Sequence, residues 1–335
     1  MFKMLGCSLL FVGITFSAPP DDAVQKGVRW LVSSQGADGG WGQDGGGSST
    51  VRANQRMESM GNDVANTSVA ALALIRGGGP REPVRRAVEF VLRNVEESPE
   101  EGLAITRVTG TQIQRKLGPY IDTFLGAMLL SEVEQTPRVK AALQKCVRKI
   151  ERNQQRDGSW NVSGGWAPVL GTSIASQGLF RAKEKGIRVD QAVLDKSKEY
   201  AARSAKAGPA AASAESAGVS LYARAQELEQ LSRSSADRRE NRDEIRAITA
   251  QLGDPRFVRG YGSMGGEEFF SYLNISDSLQ RTGGEDWLKW NRQIKETLLK
   301  LQNEDGTWAG HHCITGRVAV TSAAVLTLTV DRKPS

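Results

Sequence analysis

The chain has 335 residues, 39% of them apolar and 24% charged, with 36 Gly, 11 Pro, three Cys and only two His. This composition belongs to a folded chain with an ample core and excludes a disordered or disulfide-stapled one. The net charge of +6 carries no single-sign track: in the densest stretch, 224–246, Glu227, Glu229, Asp237, Glu240, Asp243 and Glu244 sit among the arginines, so nucleic acid is not an expected partner.

In chain order, Lys3, an apolar run from Leu5 to Phe16, and Ser17, Ala18, Pro19 and Pro20 have the layout of a signal peptide. The run is too short to span a bilayer. Residues 1–18 are therefore expected to be removed on export, periplasmic or extracellular, leaving 19–335 as one domain. Two cysteines, Cys146 and Cys313, then remain, and free thiols are expected in preference to a disulfide.

Beyond the leader the sequence alternates two kinds of helical pattern. Amphipathic stretches at 24–33, 84–96, 143–153, 194–207, 239–252 and 294–301 each precede a more apolar stretch rich in small residues, at 67–75, 121–133, 172–180, 217–231, 267–279 and 321–330. Polar-faced helices outside and apolar helices inside imply two concentric layers. Six helix pairs at about 53 residues each, with no polar capping repeat, predict an all-α (α/α)6 toroid closed on itself. The glycine-rich stretch 36–49 and the low-complexity stretch 201–217 read as loops, since neither ends as a phosphate-binding loop does.

Three of the amphipathic stretches lead into the same spelling, Q-x-x-D-G-x-W: Gln35, Asp38 and Trp41; Gln154, Asp157 and Trp160; Gln302, Asp305 and Trp308. The Asp-Gly step makes a tight turn in which Gly takes positive φ and Asp bonds the local backbone. Gln offers donors and an acceptor at the helix end, and Trp covers the junction.

At these residues the sequence resembles the prenyltransferase and squalene-cyclase repeat superfamily of α/α toroids, over essentially the whole mature chain. The last third, from Gly260 through Gly265, Gly266, Glu267 and Glu268 to His311, His312, Cys313, Ile314, Thr315, Gly316 and Arg317, looks like exported repeat proteins of planctomycete-type bacteria. The resemblance implies the fold more than a reaction. A hopene-type cyclase needs a D-x-D-D acid, and none occurs; the adjacent Asp21 and Asp22 fall at the mature terminus. Prenyltransferase β subunits hold zinc through Asp-x-Cys and His-Thr, but Glu267 and Phe269 fall at the first pair and Val320 and Thr321 at the second. Lanthionine cyclases use two Cys and one His; His312 and Cys313 echo that pair, with Cys146 expected on an outer helix.

The inner-helix N-termini surround one mouth of such a ring, where exposed N–H groups and dipoles favour acids and anions. Candidates for chemistry there are Glu267, Glu268, His311 and His312 as general acids or bases, against a capping role for the two glutamates. His311, His312 and Cys313 are candidates for a metal, zinc by ligand type. Asp63, Asp122, Tyr261, Tyr272 and Arg317 are candidates for binding, Arg317 toward a carboxylate or phosphate. Asp63 and Asp122 have capping as their alternative, Tyr120, Tyr261 and Tyr272 core packing, and Ser263 reads as a loop serine. No cofactor is expected. The function read from the sequence is an exported, monomeric binding scaffold for a protein or an apolar small molecule. The alternative is an enzyme acting on an isoprenoid or a peptide with a non-standard site at the cavity mouth.

Overall fold

The computed structural model describes residues 20–44, 61–162, 168–206, 219–258, 265–311 and 313–332. The expected leader at 1–18, Tyr261, Ser263 and His312 lie outside the described residues.

Helix α1 (Pro20–Ser33) precedes α2 (Val64–Gly77); α3 (Arg81–Glu97) and the short α4 (Gln112–Leu117) precede α5 (Ile121–Glu132). Then α6 (Pro137–Arg152) precedes α7 (Pro168–Glu184), and α8 (Gln191–Lys206) precedes α9 (Val219–Leu231). Helices α10 (Ser235–Glu240), α11 (Arg242–Leu252) and α12 (Pro255–Val258) precede α13 (Gly266–Thr282), and α14 (Gly284–Leu301) precedes α15 (Arg317–Leu328). Trp41 and Asp63 form an isolated antiparallel bridge.

The two sequence patterns become two layers for a simple reason of burial. On α6 the buried residues Val139, Ala142, Leu143, Cys146, Val147 and Ile150 follow helical spacing along one stripe, while most of its Lys and Arg face water. On α5 every residue from Ile121 to Ser131 is buried, so that helix is surrounded. Helices α2, α5, α7, α9, α13 and α15 touch one another in that order, and α15 returns to touch α2. Outside them, α1 lies against α15 and α2, α3 against α2 and α5, α6 against α5 and α7, α8 against α7 and α9, and α14 against α13 and α15. The result is an all-α toroid with an inner and an outer ring.

Several elements differ from the pattern in the sequence: α6 starts at Pro137 and not at 143, α8 continues to Lys206 into the stretch read as a loop, and α4 had no counterpart. The stretch 239–252 is broken at Asn241, because Ser234 and Asp237 form a capping box that starts a separate short helix, α10. Helix α14 begins at Gly284, earlier than the expected 294, and the added turns bury Trp287 and Trp290.

The Q-x-x-D-G-x-W copies join the layers. In each, the Trp Nε1–H donates to a carbonyl near the end of the preceding outer helix: Trp41 to Leu31 O at 2.9 Å, Trp160 to Ile150 O at 2.7 Å, Trp308 to Leu298 O at 2.7 Å. The Trp backbone N–H donates to a threonine hydroxyl in the first turns of the next inner helix, Thr67, Thr172 or Thr321. The Gln amide donates twice. Gln35 reaches Gly39 O and Pro83 O, Gln154 reaches Gly158 O and Val193 O, and Gln302 reaches Gly306 O and Ala23 O. Each copy therefore ties one outer helix to the next, and the last ties α14 to α1 and closes the outer ring. The motif glycines must be glycine: Gly158 has φ +91°, and a Cβ there would lie 2.2 Å from Lys196 O.

Candidate functional site

All six inner helices start at one mouth. Asp122 of α5 accepts from Ala65 N–H of α2 at 3.0 Å, Tyr222 of α9 donates to Glu268 of α13 at 3.2 Å, and Glu267 accepts from Ile314 N–H ahead of α15 at 3.4 Å. The remaining N-terminus, that of α7, is reached by α4. A Cβ on Gly171 of α7 would lie 2.2 Å from Leu117 O, so the end of α4 sits directly on α7. At the other end of α4, Gln112 accepts from Thr315 N–H at 2.9 Å and Gly316 N–H at 3.2 Å, and donates to Thr315 Oγ1 at 3.0 Å. Helices α7 and α15 are opposite members of the ring, so α4 lies across the mouth. Its six residues measure about 9 Å.

Helix α4 is fastened in its middle by Gln114. Its amide oxygen accepts from Thr111 N–H at 3.1 Å, closing a capping box, and its Nε2 donates to Asp122 Oδ2 at 2.6 Å and Val108 O at 2.9 Å. Neither Gln112 nor Gln114 stood out in the sequence; the T-x-x-Q spacing of Thr111 and Gln114 was the available signal.

Beneath α4 two acidic groups meet. Asp63 caps α2 through Asn66 N–H at 2.8 Å and also accepts from Asn66 Nδ2 at 2.8 Å. Asp122 caps the same helix from α5. Both carboxyls are buried, and burial pushes both up from the ordinary carboxylate range, the Asp122 charge adding to the effect on Asp63. Each member is therefore a weaker acid than an exposed aspartate.

The second group contains Glu267 and Glu268, both fully buried, with Tyr222 and the half-buried Cys313. Burial and the adjacent Glu267 push the Cys313 thiol up to about 12, so it is a poor nucleophile. Burial and the two glutamates push Tyr222 upward as well. Cys313 is the one described non-glycine residue at positive φ, 58°. Both Cys146 and Cys313 are free.

Tyr222, Gln226 and Glu229 share one stripe of α9, at helical spacing, between this cluster and the far end of the lumen. Gln226 is fully buried, yet neither its Nε2 nor its Oε1 has a hydrogen-bond partner, and Glu267 Oε1 has none either. Further down, side chains cross the lumen from α7 to α13: Gln177 Nε2 donates to Asn274 Oδ1 at 2.9 Å and Arg181 to Asp277 at 3.1 Å.

The other candidates stand apart from this site. Tyr272 is turned to the outer layer, its hydroxyl on Val258 O at 3.1 Å and its ring 6.3 Å from that of Trp290, because α13 needs an aromatic against α14. Arg317 pairs with Asp305 at 3.2 Å and Asp44 at 3.6 Å and lies over the Trp30 ring, so its charge is taken up where α15 meets α1. His311 is exposed. Among the described residues no three His, Cys, Asp or Glu side chains converge as metal ligands, and no helix is long and apolar enough to cross a membrane.

Comparisons with known proteins agree with this architecture. The pattern of the squalene-hopene cyclase C-terminal domain matches residues 7–115. Among solved structures, an arginine-to-alanine variant of the type II terpene cyclase MstE from Scytonema, in complex with geranylgeranyl dihydroxybenzoate as substrate, is 12% identical and covers 93% of this chain and 97% of that one, with a TM-score of 0.59. Another MstE variant, with merosterolic acid A as product, is 12% identical over 93% and 96%, TM-score 0.55. A protein from Actinoplanes is 11% identical over 93% and 99%, TM-score 0.55. No curated protein matches. At this identity the likeness is one of fold.

Proposed function

On this terpenoid-cyclase-like toroid, we propose a small-molecule-binding function, with the ligand held in the lumen beneath α4. The observation that carries it is Gln226, a buried amide with neither end bonded, with a further unbonded oxygen, Glu267 Oε1, on the neighbouring inner helix α13. Each such orphan costs about 1–3 kcal/mol. A ligand head group that donates to Glu267 and exchanges hydrogen bonds with Gln226 removes that cost, and an isoprenoid-like tail suits a fold whose solved relative holds geranylgeranyl dihydroxybenzoate.

Binding is favoured over hopene-type cyclisation because the chain lacks the D-x-D-D acid that such a cyclisation needs. The convergence of Glu267, Glu268, Tyr222 and Cys313 supports a second reading, an enzyme acting on an isoprenoid or peptide, but the thiol there is poorly ionised. We also propose that the protein is exported through residues 1–18 and acts as a monomer; a native mass beginning near residue 19 after expression in an exporting host tests both.

The test is native mass spectrometry of the full chain and of Gln226→Leu. The wild type is expected to carry a copurifying small molecule that the variant lacks, while the variant, relieved of two orphan atoms, melts at a higher temperature than ligand-free wild type. A bare mass in wild type purified from its own host, or a ligand retained by Gln226→Leu, rejects this site. Conversion of the ligand on incubation with fresh protein decides for the enzyme.

A further inference from the structure

Helix α4 is built to move as one piece. Its capping box closes within residues 111–114, and it lies between two glycines at positive φ, Gly110 at 78° and Gly118 at 115°. A Cβ on Gly118 would meet only open space. Small residues at the ends of an element absorb a backbone rotation at little cost. Two of the three points that hold α4 over the lumen are polar, Gln112 on Thr315 and Gly316 and Gln114 on Asp122; the third is Leu117 against Gly171.

Beneath it, every oxygen of the Asp63 and Asp122 carboxyls already accepts a hydrogen bond. Asp122 Oδ1 takes Ala65 N–H and Oδ2 takes Gln114 Nε2; Asp63 Oδ1 takes Asn66 N–H and Oδ2 takes Asn66 Nδ2. A proton on either carboxyl therefore confronts a donor. The two backbone N–H groups are fixed in the first turn of α2, but the Asn66 amide can turn over, since its Oδ1 has no partner. Turned, Oδ1 accepts from a protonated Asp63 Oδ2, and one end of the amide is unbonded in either position. Gln114 has no such freedom, because its Oε1 accepts from Thr111 N–H and its Nε2 also serves Val108 O. The arrangement that suits a closed α4 is thus a neutral Asp63 beside a charged Asp122 held by Gln114.

The surrounding elements bring other charges to other places. Arg115 of α4 donates to Gly110 O, Lys116 acts on Cys313, Arg107 is exposed, and Asp44 pairs with Arg317. Tyr120 precedes α5 and is neutral in the range concerned. Apart from Asp122, helices α2, α5 and α7 carry no ionisable group before Arg76, Glu132 and Arg181 near their far ends.

We infer that α4 is a proton-controlled gate, latched over the lumen while Asp63 holds a proton and lifted when both carboxyls are charged, so that water reaches them. Burial lifts both carboxyls above the ordinary range under a closed α4, and the Asp122 charge adds to this for Asp63. Water entering beneath a lifted α4 returns them toward the ordinary range. The closed form therefore holds the extra proton, and closure is favoured at lower pH and lost as pH rises through the elevated values. That ligand exchange then quickens with pH rests on the lumen site proposed above; the gate itself does not.

The test is amide exchange of the ligand-free full chain at about pH 5 and about pH 8, corrected for the intrinsic dependence of exchange on pH. Protection across 112–117 is expected to fall about tenfold or more at the higher pH, one proton being released on opening. Asp63→Asn keeps the cap on Asn66 N–H without ionising and is expected to stay protected at both pH values. Should that variant not fold, Asp122→Asn is expected to reduce the fall. Equal protection of wild type at both pH values, or a fall undiminished in the variants, overturns the gate. So does protection of α4 that changes only in step with that of α6, since the pair then acts on the whole fold. A bare native mass would reject the lumen site and leave this result standing, so the two fail separately.

Discussion

Asp63 and Asp122 show how one residue type acts differently once buried in pairs. Because both titrate above the ordinary carboxylate range in the folded chain, that chain holds protons the unfolded chain has already released. Their stabilising contribution is complete below about pH 4 and is lost as pH rises through the elevated folded values. Asp122→Asn keeps an acceptor for Ala65 N–H while removing one of the two titrating groups and its charge on the other. Unfolding midpoints in urea between about pH 4 and about pH 8 are expected to fall with pH more steeply in wild type than in the variant. Equal slopes would mean that the pair holds no extra proton. The carboxylates paired with arginine, such as Glu132, carry the opposite dependence, so only the difference between the two chains isolates the pair.

At the scale of elements, α4 is the segment that decides access to the lumen. It is too short for stability of its own, and it persists because Gln112 holds α15, Gln114 holds Asp122, and Leu117 rests on Gly171. Replacing Gln112 with Ala removes the hold on α15 alone. Amide exchange across 112–117 is expected to accelerate about tenfold, while α5 and α15 exchange as before. Unchanged exchange would show that packing against α7 suffices. At the N-terminal mouth Asp122 of α5 and Glu267 and Glu268 of α13 sit in first turns, where an acid opposes the helix dipole.

For the whole molecule, closure distinguishes a ring from an open stack of hairpins. Gln302 joins α14 to α1 through Ala23 O, and α15 packs on α2. Gln302→Leu leaves two carbonyls without their donor and is expected to cost about 1–3 kcal/mol, as is Gln154→Leu. Unfolding of the whole chain is expected as a single transition, since every helix pair borrows part of its core from both neighbours. Stepwise unfolding from the termini in Gln302→Leu and in wild type alike would show that the closing contacts contribute nothing.

The amino-acid sequence by itself determined the layers and the repeated turns, because both rest on local physics. Apolar spacing along α6 marks an outer helix, uniform apolarity in α5 an inner one, and Asp157-Gly158 a turn that only glycine can make. It also placed Asp63, Asp122, Glu267 and Glu268 at inner-helix starts, where they are. Only the tertiary structure decided what those groups do. Asp122 caps a helix 57 residues away and Gln112 reaches Thr315 across 203, and no periodicity encodes such meetings. The same holds for Tyr272, which turns outward to Trp290, for Arg317, whose charge is met by Asp44 and Asp305, and for Gln226, whose amide is buried without a hydrogen-bond partner.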